Sequence, residues 1–254
     1  MHVSDEDGVR TVTFDRPDSR NAMTREIASD LADRIEDVSH ETFDALVLTG
    51  EGEAFCAGGD IESMAEREMS TREAYEEVRA TFGRVVEAAL TADVPIVAKV
   101  NGDAVGAGLA LAAVSDFAYG VESASFGCAF VHVGLIPDTG GTFLLPQLIG
   151  LRAAKQLAFT GETFSADAAA ELGLINESVA DDAIDGVVEE LLSTLANRPT
   201  QTIGLTKQAL HENAGRHWRE ALDYENHLQA QAYDTPAHEE GVDAFLEGRP
   251  PDFD

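Results

Sequence analysis

Lysine is almost missing from this chain. Lys99, Lys155 and Lys207 are all it has in 254 positions, and lysine plus arginine reach 17 against 47 aspartates and glutamates. The formal net charge is −30. Binding a phosphate backbone needs a basic face, so nucleic acid is excluded as a partner. The acids are spread along the chain and do not gather in a tail. At 44% hydrophobic the chain has the makings of an ordinary core. An acidic, lysine-poor surface on such a core points to a protein built for high salt, where a Debye length of about 3 Å at 1 M screens self-repulsion.

Cysteine is scarce too. Cys56 and Cys128 form no disulfide framework and no metal-ligand spacing, and no Cys/His cluster suggests zinc or another metal. They read as small buried hydrophobes of a reducing compartment. No apolar run approaches the roughly 18 residues of a membrane span, because Gly, Asp or Pro breaks the longest ones. The opening residues, MHVSDEDG, are acidic, unlike a basic, apolar leader. The expectation is a soluble cytoplasmic protein.

VRTVTFD (9–15) alternates and is rich in β-branched residues, the mark of a strand. DALVLTG (44–50) and VPIVAKV (94–100) read as buried strands, and DFAYG (116–120) as a short one. TREIASDLADRIEDV carries Ile27, Leu31, Ile35 and Val38 at the spacing of an amphipathic helix. A long polar helix is expected over 71–92. Beyond Pro137 the chain reads as helical over 140–149, 152–159, 165–172, 183–196, 200–213, 216–232 and 236–247. No fixed-period repeat is visible. Strands alternating with helices give an α/β class, divided into a core over 1–196 and a helical C-terminal region over 197–254.

EGEAFCAGGDI and NGDAVGAG are glycine-rich loops, each following a buried strand, and the second opens into the small, apolar helix LALAAVS. Glycine permits positive φ and close approach of a ligand, and a helix start presents free N–H groups at the positive end of its dipole. Neither loop is a P-loop, and GDAVGAG is not a dinucleotide fingerprint. Taken alone, they fit plain turns as well as anion-binding amides. A third stretch, VHVGLIPDTGGTFLLPQL (131–148), holds one carboxylate, Asp138. Asp138 reads either as a turn or N-cap residue of the helix at about 140 or as an acid–base group.

The order of these pieces resembles the enoyl-CoA hydratase/isomerase (crotonase) family over nearly the whole chain. FDRPDSRNAMT, AFCAGGDI, VPIVAKVNGDAVGAGLALAAVSDFAYG, SFGCAFVHVGLIPDTGGTFLLPQLIG, TGETFSADAAAELGLIN and EGVDAFLEGRPPDF carry the resemblance. It implies a spiral of ββα units, with a C-terminal helical region that assembles homotrimers or hexamers and covers the pocket. It implies an acyl-CoA thioester substrate, with coenzyme A arriving as part of that substrate and no separate cofactor. The amides of Gly59 and Ala107 would hold the thioester oxygen, and Ala57, Gly58, Asp60 and Ile61 would lie against the coenzyme. Arg16 and Arg20 are candidates for its phosphates, or else solvated turn charges.

The two glutamates that hydratases of this family use fall on Ala110 and Phe130 here. A methyl group and an aromatic ring cannot activate water, so hydration by that mechanism is disfavoured. GLIPD resembles the 1,2-epoxyphenylacetyl-CoA isomerase and enoyl-CoA isomerase branch, which makes Asp138 the candidate base. Leu135, Ile136, Pro137 and Phe130 are expected to surround it and raise its pKa. His132 is a second acid–base candidate or a packed histidine. Trp218 and Tyr224 read as packing residues, and Cys128 has no partner base in view. The expected activity is acyl-CoA isomerisation: 3-enoyl to 2-enoyl, or rearrangement of a ring epoxide. Three alternatives remain: a hydratase with a non-standard acid/base arrangement, nucleophilic attack by Asp138 on an aryl-CoA, and a non-catalytic acyl-CoA-binding subunit.

Overall fold

The computed structural model describes residues 1–65 and 68–253. Strands β1 (His2–Glu6) and β2 (Val9–Phe14) pair antiparallel around Asp7 and Gly8, both at positive φ as a tight hairpin turn requires. The acidic opening therefore forms a strand that the composition hid. It is an edge strand with mostly open faces, where hydrophobicity is not needed and acidic side chains discourage further pairing.

Helix α1 (Arg25–Glu36) follows, capped by the Thr24 hydroxyl, which accepts from the Ile27 N–H. Its buried face is Ala28, Leu31, Ala32 and Ile35, the face the 3.6-residue period marked. From here the chain repeats one movement. Strands β3 (Ala45–Gly50) and β4 (Ala54–Cys56) lead to helices α2 (Ile61–Ala65), α3 (Thr71–Val78) and α4 (Arg84–Thr91). Strands β5 (Ile96–Val100) and β6 (Asp103–Val105) lead to α5 (Ala107–Val114). Strands β7 (Phe117–Val121) and β8 (Ser125–Gly127) lead to α6 (Gly141–Leu148) and α7 (Gly150–Thr160). Strand β9 (Thr163–Ser165), helix α8 (Ala166–Leu172) and strand β10 (Glu177–Val179) close the core.

The first strand of each unit joins a six-stranded sheet ordered β1-β2-β3-β5-β7-β10, parallel from β2 onward. The second joins a four-stranded sheet ordered β4-β6-β8-β9, parallel except at β9. The chain is thus an α/β spiral of ββα units, repeated in space though not in sequence.

Several expectations need correction. Both glycine-rich loops contain a strand, β4 in the first and β6 in the second, and the largely helical region beyond Pro137 also contains β9 and β10. Each of these strands has three residues, too few to show a period. The helix expected over 71–92 forms, with a wider, π-type turn at Arg79–Gly83 inside it. The last four helices are α9 (Ile184–Ala196), α10 (Thr200–Asn213), α11 (Trp218–Tyr233) and α12 (Pro236–Glu247). On α11, Tyr224 lies under the Arg216 guanidinium at 4.5 Å, but Trp218 is 62% exposed, with the His217 ring and the Arg219 guanidinium against it. Trp218 is not a core packing residue: it opens α11, and its ring lies against the adjacent His217 and Arg219 side chains and not against the core.

Candidate active site

The small sheet positions the site. β4, β6 and β8 run parallel and adjacent, so the segments leaving their C-terminal ends emerge side by side. These are Ala57–Asp60, Gly106–Ala107 and the stretch from Cys128 to Asp138. The first two touch: a Cβ built on Gly58 would lie 2.9 Å from the Val105 oxygen and 3.6 Å from the Ala107 nitrogen. Gly106 turns the chain at φ +56° and ψ −117°, a conformation that excludes side chains, and α5 starts at the next residue. A Cβ on Gly108 would fall 2.0 Å from the Cys56 oxygen, so only glycine lets the first turn of α5 pack against β4.

Among the described residues, two amides are left over. The Met23 N–H donates to Gly58 O at 2.7 Å, and the Asp60 N–H donates to Met23 O at 2.9 Å. This parallel bridge pairs Met23 with Gly59 while using neither polar group of Gly59 itself. Ala107 is the first residue of α5, and its N–H precedes the first intrahelical bond, which runs from Ala110 N to Gly106 O at 3.1 Å. Both residues line a cavity of about 190 Å³, together with Ala57, Gly58, Ile61, Phe130, His132 and Asp138.

A second cavity, of about 410 Å³, opens between the start of α1 and helices α2 and α3. Ile61, Met64, Phe82, Val133, Leu135 and Asp138 border both cavities, so Asp138 stands where they meet. Its carboxylate does not cap α6: the cap position is Gly140, with no side-chain hydrogen bond. Among the described residues the carboxylate has no ion pair, and its side-chain partner is the Thr139 hydroxyl, which donates to Oδ1 at 3.1 Å. Burial pushes the Asp138 pKa above the ordinary aspartate value, and the Thr139 hydrogen bond partly opposes this.

The apolar surroundings differ from those expected. Pro137 is buried, and Phe130 and Leu135 face the site, but Ile136 is 72% exposed and borders neither cavity. Met64 and Phe82 supply the missing wall. Phe82 sits in the π-type turn, and no sequence period marked it. Ala110 is fully buried in α5. Phe130, where the resemblance puts the other glutamate, lines the smaller cavity.

Among the described residues, the other charged groups lining the cavities are already engaged. Asp60 accepts from the Ser63 N–H at 3.0 Å and from Arg16 at 2.9 Å, and these bonds hold its carboxyl below the usual range. Arg16 also donates to Ala22 O within its own loop, so its bond to Asp60 ties that loop to the glycine-rich one. Arg20 pairs with Asp103. Arg25 and Glu77, both on the larger cavity, pair at 3.0 Å. His132 is exposed, with Nε2 3.3 Å from Thr160 O. Burial raises the thiol of Cys56 to about 12 and that of Cys128 to about 11, so neither is a thiolate at neutral pH.

A family model described as enoyl-CoA hydratase/isomerase matches residues 4–254. The chain is 36% identical over 250 residues to 1,2-epoxyphenylacetyl-CoA isomerase of Escherichia coli (strain K12), covering 98% of this chain and 95% of that protein. It is 30% identical over 252 residues to 2,3-dehydroadipyl-CoA hydratase of the same organism, covering 99% and 97%. A solved enoyl-CoA hydratase of Mycobacterium smegmatis superposes with a TM-score of 0.91 at 32% identity, covering 99% of this chain and 98% of that one.

Proposed function

Because the chain belongs to the enoyl-CoA hydratase/isomerase family, whose members act on acyl-CoA, we propose that it is an isomerase with Asp138 as its single acid–base group. The observation that carries this reading is the position of Asp138, a carboxylate with no ion pair among the described residues, at the junction of the two cavities, with no carboxylate at residues 110 and 130. In a 3-enoyl thioester, Asp138 removes a proton from C2. The electron pair moves onto the thioester oxygen, where the Gly59 and Ala107 amides meet it. Removing one such donor typically costs about 3–4 kcal/mol of transition-state stabilisation. The enolate then collapses, C4 takes the proton back from Asp138, and the double bond moves into conjugation. One carboxylate suffices, because no water is added. A ring-epoxide acyl-CoA would use the same two amides while its ring rearranges. The name of the E. coli epoxide isomerase lends support to that substrate.

The proposal extends to assembly. Trp218, Leu222, Phe245 and Leu246 stand exposed on the last two helices, an apolar surface suited to homotrimers or hexamers of this chain.

The test is an ultraviolet assay in multimolar KCl with 3-hexenoyl-CoA beside crotonyl-CoA, for wild type and Asp138→Asn. The expected result is a rise in conjugated-enoyl absorbance that falls by about 10³-fold or more in the Asn variant. Loss of crotonyl absorbance, unaffected by the variant, would instead establish hydration by other groups. Tight binding of both esters without turnover would leave a binding subunit.

A further inference from the structure

Thr139 is held in a conformation that threonine avoids. Of the described residues other than glycine at positive φ, which are Asp7, Arg20, Asn21 and Thr139, it alone is β-branched, at φ +51°. It is also 5% exposed, so solvent does not explain its placement. Glycine would take this backbone without strain, and glycines occupy the next two positions. What threonine adds is a hydroxyl on a stiff χ1, and that hydroxyl donates to Asp138 Oδ1 at 3.1 Å. Strain retained at such a place points to a use.

We propose that Thr139 is a positioning residue for Asp138: its hydroxyl occupies Oδ1, fixes the rotation of the carboxylate, and leaves Oδ2 to take the proton from the substrate and return it. This rests on Asp138 being the base. The turn around Thr139 allows little drift. The Gly141 N–H donates to Asp138 O at 2.9 Å. A Cβ at Gly141 would meet Pro137 at 2.9 Å, and one at Gly140 would meet Leu144 at 2.7 Å. The groups on neighbouring elements that share the cavities with Asp138 have partners of their own. They are Arg25 and Glu77, paired across α1 and α3, Asp60 on Arg16, and His132 near Thr160 O. Among the described residues, the Thr139 hydroxyl is therefore the side-chain partner that opposes the upward push of burial on Asp138. By bonding the ionised form, it keeps the carboxylate ready to accept a proton despite its burial.

Thr139→Val keeps the shape and the β-branch but removes the hydroxyl, whereas Thr139→Ser keeps the hydroxyl. The pH dependence of kcat/KM with 3-hexenoyl-CoA is the readout. In the Val variant the acid limb should move to higher pH by about half to one unit, with kcat about tenfold lower and KM little changed. The Ser variant should restore both the limb and the rate. Titrating the Asp138 carboxyl by 13C NMR should show the same shift without substrate, and thermal melting confirms that each variant is folded. A Val variant with a wild-type limb, or Val and Ser variants equally impaired, would overturn the proposal while Asp138→Asn stays inactive. An Asp138→Asn variant that still turns over would overturn the proposed function and this role together.

Discussion

Asp138 is a group whose folded environment works against stability. Burial raises its pKa above the ordinary 3.8, so the folded protein holds that proton more tightly than the unfolded chain. The residue therefore costs stability above its folded pKa, and the cost fades as pH falls towards the ordinary value. Asn removes the charge and keeps the shape. At pH 7, Asp138→Asn should raise Tm by about 1–3 °C while abolishing turnover. At pH 4 the two proteins should melt together. A lower Tm for the Asn variant at neutral pH would mean that the carboxylate is a structural partner, in keeping with a turn role.

At the scale of elements, the C-terminal helices are tied to the core by a buried ion pair. Lys207 on α10 is 5% exposed, and its Nζ donates to Asp116 Oδ2 at 2.7 Å and to Val94 O at 3.2 Å. Asp116 also accepts from the Ile96 N–H at 2.8 Å, so a single carboxylate joins α10, β5 and the start of β7. His211, one turn further along α10, approaches its other oxygen at 3.7 Å. Lys207→Met strands a buried carboxylate and should cost about 3–5 kcal/mol in urea unfolding. Adding Asp116→Asn keeps an acceptor for Ile96 but no charge, and should recover much of that loss. Additive losses would show that the pair is not coupled.

The whole molecule is dominated by its charge of −30. Many of its few cations are committed to local pairs: Arg84 bridges α4 to Asp33 and Glu36 of α1, Arg249 holds Glu240 and Glu247, and Arg16 and Arg20 hold Asp60 and Asp103. The remaining acids repel one another, and salt screens that repulsion. Tm should rise on the order of 10 °C between 0.1 and 3 M KCl, most steeply below about 1 M, where the Debye length shrinks fastest. A flat melting curve across that range would remove the high-salt reading. Coenzyme A is a polyanion, so KM for an acyl-CoA should fall over the same interval.

Much of this was written locally. The stripe of α1, the buried runs of β3 and β5, the two glycine-rich loops and the lone carboxylate of LIPDTGG each follow from side-chain periods and turn chemistry acting over a few residues. Their order along the chain also carried the family. The hairpin strand β1 was hidden by its acids, and β9 and β10 by their three-residue length. The cavity walls were hidden for another reason. Met64, Phe82 and Leu135 become neighbours only because β4, β6 and β8 pair in parallel across some 70 residues, and no local pattern encodes which side chains such pairing brings together. Folding likewise turned Ile136 away from the site its neighbours line, committed Arg16 and Arg20 to carboxylates, and set Thr139 at a strained φ against Asp138. Residue types and their spacing specify which elements form and which groups are chemically able. Which of those groups are buried, free or paired depends on contacts between distant segments, and exists only once the spiral has closed.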